Sequence, residues 1–115
     1  MRERTIQAQI LQALGSRDDV RIWRHGTGVG RALHNDQVLS FGLKGSSDLV
    51  GIVTVGGRGY FLAVEVKSAQ GRLTPEQSLF GAMVQQRGGC YVIARSRDEA
   101  VSQVESFIQR QQLAG

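Results

Sequence analysis

The amino-acid sequence predicts a single α/β domain in which helices flank a mixed β-sheet. The 115 residues suffice for one compact domain with its own core, so residues 1–115 are assigned to that domain. Segments 48–55 and 60–67 are rich in β-branched and aromatic residues and are separated by glycines, which predicts an antiparallel hairpin. Further along, a strand segment lies between two helical segments, and this order predicts a helical crossover to an added strand.

The N-terminal part of the chain predicts one helix and two short strands. Apolar residues recur at helical spacing over residues 6–14, and Gly15 is suited to end that helix. Residues 20–25 alternate in the manner of a strand. Residues 26–37 are rich in glycine and polar residues and predict a loop or an irregular hairpin, after which residues 38–41 predict a short strand.

The C-terminal part predicts a helix, a strand and a second helix. Residues 74–77 (Thr-Pro-Glu-Gln) form a capping box with proline at the first helical position. The glycine pair at 88–89 ends that helix, and residues 90–94 form a short apolar strand. Residues 96–99 (Ser-Arg-Asp-Glu) are a second capping box, so the predicted order of elements is α-β-β-β-β-α-β-α.

The composition is that of a folded protein with a basic surface. The formal net charge is +4, and 12 of the 14 basic residues are arginine, whose guanidinium matches phosphate geometry. This bias fits a nucleic-acid partner, and a generic basic surface fits it equally well. No apolar stretch is long enough to span a bilayer and the N-terminus lacks a signal-peptide core, so we expect a cytoplasmic protein. A lone cysteine, Cys90, excludes an internal disulfide.

Three charged residues, Asp48, Glu65 and Lys67, gather at one end of the predicted hairpin, which is otherwise apolar on both faces. If Gly57 and Arg58 form its tip, Asp48 lies opposite Lys67 and diagonally from Glu65, and all three side chains share a face. The carboxylates then lie roughly 7–8 Å apart, close enough to share a metal ion. The alternative is a plain Asp48–Lys67 ion pair with Glu65 solvated, and geometry alone favours neither.

Three short segments carry a family resemblance. Residues 45–49 (Gly-Ser-Ser-Asp-Leu), 65–67 (Glu-Val-Lys) and 73–77 (Leu-Thr-Pro-Glu-Gln) resemble the PD-(D/E)XK nuclease superfamily, and more narrowly the virus-type replication-repair nuclease (VRR-NUC) family. The resemblance runs from Glu3 to about Ala94 and implies a restriction-endonuclease-like domain. Ser47 departs from the pattern, which usually has proline before the aspartate, but this position ligates nothing in that scheme.

The resemblance implies a metal-dependent nuclease. Asp48, Glu65 and the backbone of Val66 would hold Mg²⁺ or Mn²⁺, for which hard oxygen ligands are suited. Lys67 would orient or deprotonate the attacking water and offset charge on the phosphorane.

Two further positions, Glu3 and Gln77, match the family pattern, and each also has a purely structural explanation. Glu3 would add a carboxylate to the metal site, or it is an ordinary acid favoured by the helix dipole. Gln77 would lie beside Lys67 and the scissile phosphate, or it only completes the capping box.

The resemblance also implies DNA as the partner, and branched DNA such as four-way junctions as the substrate of a homodimer in the cytoplasm of a bacterium or phage-infected host. We expect Arg24, Arg31 and Lys44 to contact phosphates around the glycine-rich loop, although an ordinary surface loop is the alternative. Two rival functions remain at this point: a catalytically silent nucleic-acid-binding module, and an interaction domain in which the three charges form a structural ion pair.

Overall fold

The structure is a computed structural model that describes residues 1–26, 28–31, 38–41 and 44–115. Its helices and strands are, in chain order, α1 (Glu3–Gly15), β1 (Val20–Arg24), β2 (Gly28–Arg31), β3 (Val38–Phe41), β4 (Leu49–Val55), β5 (Arg58–Val66), α2 (Pro75–Gln86), β6 (Cys90–Ala94) and α3 (Arg97–Ala114).

The main sheet has the strand order β1-β4-β5-β6. β1 and β4 pair antiparallel, as do β4 and β5, whereas β5 and β6 are parallel and are joined through α2. The predicted mixed sheet with a helical crossover is therefore confirmed. β2 was not predicted as a strand, and it pairs antiparallel with β3 in a separate two-stranded sheet. The rest of the predicted loop, at residues 27 and 32–37, lies outside the described residues.

One face of the main sheet is closed by α1 and α3. The alternating apolar residues of β4 and β5 that point to this face pack against the apolar stripes of both helices, because strand side chains alternate between faces with a period of two. The fully or almost fully buried members of this core are Ile6, Ile10, Leu14, Leu49, Val53, Leu62, Val64, Val66, Cys90, Val92, Ala94, Ala100, Val104 and Phe107.

The opposite face is covered by α2 alone within the described part of the chain. Phe80 and Val84 of α2 pack on Ala63 of β5 in a second, smaller apolar cluster. Gly81 permits this close approach, since a Cβ at that position would lie 2.3 Å from the ring of Tyr91. α2 begins with the predicted capping box and ends before Gly88, whose φ of 86° suits only glycine well. The second predicted capping box is only half formed, because Glu99 accepts from the Arg95 N–H instead of its own N-cap.

The hairpin tip lies one residue closer to the N-terminus than predicted. Gly56 and Gly57 are its two central residues, with φ of 58° and 79°, and Val55 pairs with Arg58. A two-residue turn of this type needs positive φ at both positions, which two glycines provide and a Gly-Arg pair does not. The register therefore shifts by two residues and Leu49 pairs with Val64. An even shift keeps every side chain on its predicted face.

Candidate active site

The three hairpin charges lie together at the end of β4 and β5, as predicted, but in a different pairing. Continuing the observed register one residue beyond Leu49 sets Asp48 directly beside Glu65 rather than opposite Lys67. The expectation of an Asp48–Lys67 cross-strand pair is therefore wrong. Directly opposed residues are closer than the diagonal pair that the sequence predicted, so the two carboxyl groups come nearer to each other.

Glu65 is the most deeply placed charge of the site, with only 1% of its surface exposed. Its Oε1 accepts a hydrogen bond from Gln77 Nε2 at 2.9 Å and lies 4.0 Å from Lys67 Nζ. Its Oε2 is buried and has no hydrogen bond of normal geometry among the described residues, although Asp48 and Ser47 are close enough to shift the pKa of Glu65. A buried carboxylate oxygen without a partner is costly, so Glu65 is a strained feature of the isolated chain.

The pKa values of Asp48 and Glu65 are both raised by their surroundings. Burial, and after it the neighbouring Asp48 charge, raises the pKa of Glu65 to about 7, while Lys67 opposes the rise. Burial also raises the pKa of Asp48, with Glu3 adding to the effect and the Val66 N–H opposing it. Two carboxyl groups held together in a partly dry site favour the binding of a proton or of a metal cation.

Gln77 performs both of the roles that the sequence left open. Its Oε1 accepts from the Thr74 N–H at 2.9 Å and its own N–H donates to Thr74 Oγ1 at 3.1 Å, which completes the capping box. The remaining amide group, Nε2, is then directed at Glu65. The start of α2 thus fixes the orientation of Gln77, and Gln77 fixes one oxygen of Glu65.

Glu3 reaches the edge of the same site from the first turn of α1. Its Oε2 accepts from the Ser68 N–H at 3.3 Å, and its charge raises the pKa of Asp48. Among residues 1–26 and 44–115, however, no three acidic, histidine or cysteine side chains converge as a ready metal cluster. Glu3 lies near Asp48 and Glu65 and accepts a hydrogen bond from the backbone of Ser68. Asp48 and Glu65 are the two acidic residues that lie directly beside each other.

Val66 contributes its backbone to the pair. Its N–H is close enough to the Asp48 carboxyl group to lower the pKa of that group, whereas the Lys67 N–H donates to the Ala94 carbonyl on the other side of β5. Since the N–H and C=O of one strand residue point to the same side, the Val66 carbonyl also lies on the Asp48 side.

The expected phosphate contacts are separated in the structure. Lys44 is exposed at the start of the loop that leads into Asp48. Arg24 is exposed on the opposite face of β1 from Asp48, where it donates to Gln7 of α1 at 3.0 Å. The side chain of Arg31 lies outside the described residues.

Sequence reasoning missed three residues that shape the site. Gly45 has φ of 78° and lies so close to α2 that a Cβ there would be 2.3 Å from the Glu76 carbonyl oxygen. Ser47 is fully buried, and its hydroxyl makes no hydrogen bond of normal geometry among the described residues but is close enough to Glu65 to lower the pKa of that carboxyl group. The hydroxyl of Tyr91 donates to the Gln77 carbonyl at 3.4 Å. The Gly45 position had a sequence signal, a glycine shortly before the aspartate; Tyr91 had none.

A basic cleft of about 560 Å³ also adjoins the site. It is formed by the segment 69–73 after Lys67 and by Arg95 at the end of β6, and Arg72 is exposed within it. Arg95 also donates to the Ser68 carbonyl, next to the Ser68 N–H that binds Glu3.

Comparison of the sequence with known families assigns a family to the chain. The sequence pattern of the VRR-NUC domain family matches residues 28–98, which is more than half of the chain. The chain belongs to the VRR-NUC domain family. The matched region of this VRR-NUC domain contains Asp48, Glu65, Lys67 and Gln77, whereas Glu3 lies before it. Membership implies a nuclease domain of the PD-(D/E)XK type and, with it, DNA binding; such domains usually use divalent metals.

Solved structures support the same assignment at the level of the fold. A structure described as a VRR_NUC domain protein matches with a TM-score of 0.60 and 18% identity, covering 95% of this chain and 89% of that chain. The predicted restriction-endonuclease-like α/β fold is thereby confirmed. A comparison with curated proteins found no match. None of the helices that the structure describes has the length and apolarity that a membrane crossing needs.

Proposed function

We propose that this VRR-NUC domain is a Mg²⁺- or Mn²⁺-dependent endodeoxyribonuclease that hydrolyses phosphodiester bonds in branched DNA. The observation that carries the proposal is the unpartnered, buried Oε2 of Glu65 beside the Asp48 carboxyl group. A cation between these groups would supply the missing partner of Oε2 and would favour the charged form of both acids.

The donor set fits a hard divalent cation. Asp48, Glu65 and the Val66 carbonyl offer oxygen atoms only, and Mg²⁺ in phosphate chemistry is commonly held by one or two carboxylates with waters completing its shell. Such an ion lowers the pKa of a bound water and offsets charge on the phosphate. Glu3 is near enough to add a carboxylate through a water, which remains a part of this proposal.

The other side chains have distinct roles in the proposed reaction. Lys67 Nζ, 4.0 Å from Glu65 Oε1 and only 12% exposed, donates to the attacking water and to the phosphorane oxygens as negative charge develops. Gln77 holds Glu65 through Oε1 and leaves Oε2 available to a cation. Thr74 in turn holds Gln77, so the helix cap is a positioning element of the site.

The DNA backbone in this proposal runs across the carboxylate end of the sheet. Lys44 on one side and the cleft with Arg72 and Arg95 on the other supply cations to the phosphates. Arg24 faces away from Asp48 and donates to Gln7, so it is not part of this path, whereas Arg31 remains an expected phosphate contact. The net charge of +4 supports a substrate that is recognised mainly through phosphates. A four-way junction offers two equivalent strands, and a two-fold homodimer in the cytoplasm would present one site to each.

A cleavage assay with a panel of DNA substrates tests the proposal. Linear duplex, nicked, flap and four-way-junction DNA are incubated with the protein in Mg²⁺, in Mn²⁺ or in EDTA, beside an identically purified Asp48→Asn variant. We expect junction or flap cleavage by the wild type with either metal, none in EDTA and none by the variant. Tight DNA binding without cleavage in any metal would instead identify a silent nucleic-acid-binding module.

A further inference from the structure

Three large apolar side chains are exposed side by side on the open face of the sheet. Trp23, Ile52 and Phe61 are 45%, 44% and 45% exposed. Ile52 pairs directly with Phe61 across β4 and β5, and Trp23 of β1 pairs with Val50, two residues from Ile52. We refer to Trp23, Ile52 and Phe61 as the apolar platform.

The apolar platform lies on the same face as the candidate active site. Trp23 of β1 pairs with Val50 of β4, and Val50 lies two residues after Asp48 along the chain. Residues two apart share a face, and the offset along the strand is roughly 7 Å. Trp23 lies one strand spacing, about 4.8 Å, to the side of Val50. The base of a nucleotide whose phosphate lies at Asp48 can therefore reach Trp23.

The size and surroundings of the apolar platform favour a base over a protein partner. Three side chains of this size, each slightly less than half exposed, present on the order of 300 Å². A stable protein–protein interface buries about 800 Å² on each partner, well above that area. Two of the three side chains are aromatic, and Arg21 is exposed directly opposite Ile52, where it offers a cation to a nearby phosphate.

We propose that the apolar platform stacks unpaired bases of the DNA strand that enters the active site. Stacking on Trp23 and Phe61 then favours substrates in which nucleotides beside the scissile phosphate are already unpaired, as at a flap or a branch, because paired bases must first leave the duplex. The path of the strand rests on the proposed nuclease function, whereas the stacking itself is measurable without any cleavage.

Trp23 is the only tryptophan of the chain, so its fluorescence reports on the apolar platform directly. Binding is measured in EDTA at fixed salt with single-stranded, flap and fully paired oligonucleotides. We expect quenching of Trp23 by the first two and much less by the duplex. In anisotropy with labelled DNA, Trp23→Ala should bind the single strand roughly tenfold or more weakly, and Trp23→Phe should retain most of the affinity.

The matched control is Leu113→Ala, which removes an 89% exposed side chain from α3, on the other side of the sheet. It should leave single-strand affinity unchanged. Equal affinity of Trp23→Ala and wild type for single strands would overturn the proposal. So would a shift of Trp23→Ala from dimer to monomer in sedimentation with unchanged DNA affinity, because the platform would then be a protein interface. Quenching without cleavage in Mg²⁺ would support the platform while refuting the nuclease proposal.

Discussion

The two faces of the main sheet differ in what covers them and in what they carry. The face under α1 and α3 is mainly apolar, and its residues within 49–55 of β4 and 62–66 of β5 are buried. The opposite face has α2 over β5 and β6, and it carries Asp48, Glu65 and Lys67 at one end and the apolar platform beside them.

The two faces of this single-layer sheet therefore differ in role: one holds the apolar core, and the other holds the candidate active site. Side chains of successive residues point to opposite faces, so Val64 and Val66 belong to the closed core while Glu65 between them belongs to the site. The closed face provides most of the apolar burial that folding needs. The open face can therefore tolerate a buried, unpartnered carboxylate oxygen that would be out of place in the core.

The largest expected effects come from one substitution on each face. Asp48→Asn removes a proposed metal ligand from the open face and should lower cleavage by at least about 10²–10³-fold while the protein still folds. Leu62→Ala opens a cavity on the closed face and should cost about 2–5 kcal/mol of stability. Cleavage assays and thermal melts of both variants check this. Near-normal turnover of Asp48→Asn at saturating Mg²⁺ would contradict the assignment of function to the open face.

Lys67 tests whether the open face needs a particular cation or only positive charge. Lys67→Ala should slow cleavage on the order of 10²-fold or more, and Lys67→Arg should also be slow, because a wide guanidinium does not replace a compact ammonium beside Glu65. The control is Lys44→Arg, which changes the other lysine of the chain at an exposed position and should cleave normally. If Lys67→Arg cleaves at the wild-type rate, Lys67 serves only as the positively charged partner of Glu65.

Glu65 should weaken the fold when it is ionised. Its folded-state pKa of about 7 lies above the ordinary 4.5, so the folded protein loses stability as pH rises from 4.5 through 7. Glu65→Gln removes the titration and should stabilise the metal-free protein at pH 8 by on the order of 2–3 kcal/mol, with no gain at pH 4. Melting in EDTA at both pH values measures this, with Glu105→Gln as the exposed control. A variant less stable than wild type at pH 8 would refute the strained-carboxylate account.

Gly45 links the loop before Asp48 to the start of α2. Gly45→Ala forces a Cβ into the α2 backbone at a positive φ, and should displace Gln77 from Glu65. We expect a stability loss of about 1–3 kcal/mol and roughly tenfold slower cleavage. Gly26→Ala is the control, since a Cβ there meets no atom within 4 Å. If melting and cleavage of Gly45→Ala both match wild type, the contact does not position the site.

The smallest expected effect concerns phosphate contacts. Arg72→Ala should weaken binding to every DNA substrate severalfold and should reduce the slope of log affinity against log salt by about one. Arg58→Ala, at the hairpin tip farthest from Asp48, should leave that slope unchanged. Titrations at several salt concentrations check this, and a salt-independent affinity of the wild type would contradict phosphate-dominated binding.

Much of the fold was predictable because local signals agreed with the tertiary structure. The capping box at Thr74, the glycines at 88–89 and the alternation within β4 and β5 each predicted an element that the structure contains. The hairpin register was not correctly predicted, because four residues with three glycines allow more than one tip. The positive φ values that select Gly56 and Gly57 are a property of the folded turn.

The grouping of Asp48, Glu65 and Lys67 at one end of the hairpin was predictable, and the contacts around them were less so. The face shared by Asp48, Glu65 and Lys67 follows from strand alternation, and this prediction survived a two-residue register shift. The dual role of Gln77, the close approach of Gly45 and the contact of Tyr91 with α2 depend on how α2 packs across the sheet. Contacts between distant segments of this kind leave no periodic signal in one sequence.

Metal binding by the carboxylate pair is the central claim, and a Mn²⁺ titration followed by electron paramagnetic resonance tests it most directly. At pH 8, above the Glu65 pKa of about 7, wild-type protein with DNA should take up Mn²⁺ from solution. Asp48→Asn should bind it at least roughly tenfold more weakly, whereas Asp98→Asn, an exposed control on α3, should bind it as wild type does. Equal Mn²⁺ binding by Asp48→Asn and wild type would contradict the account.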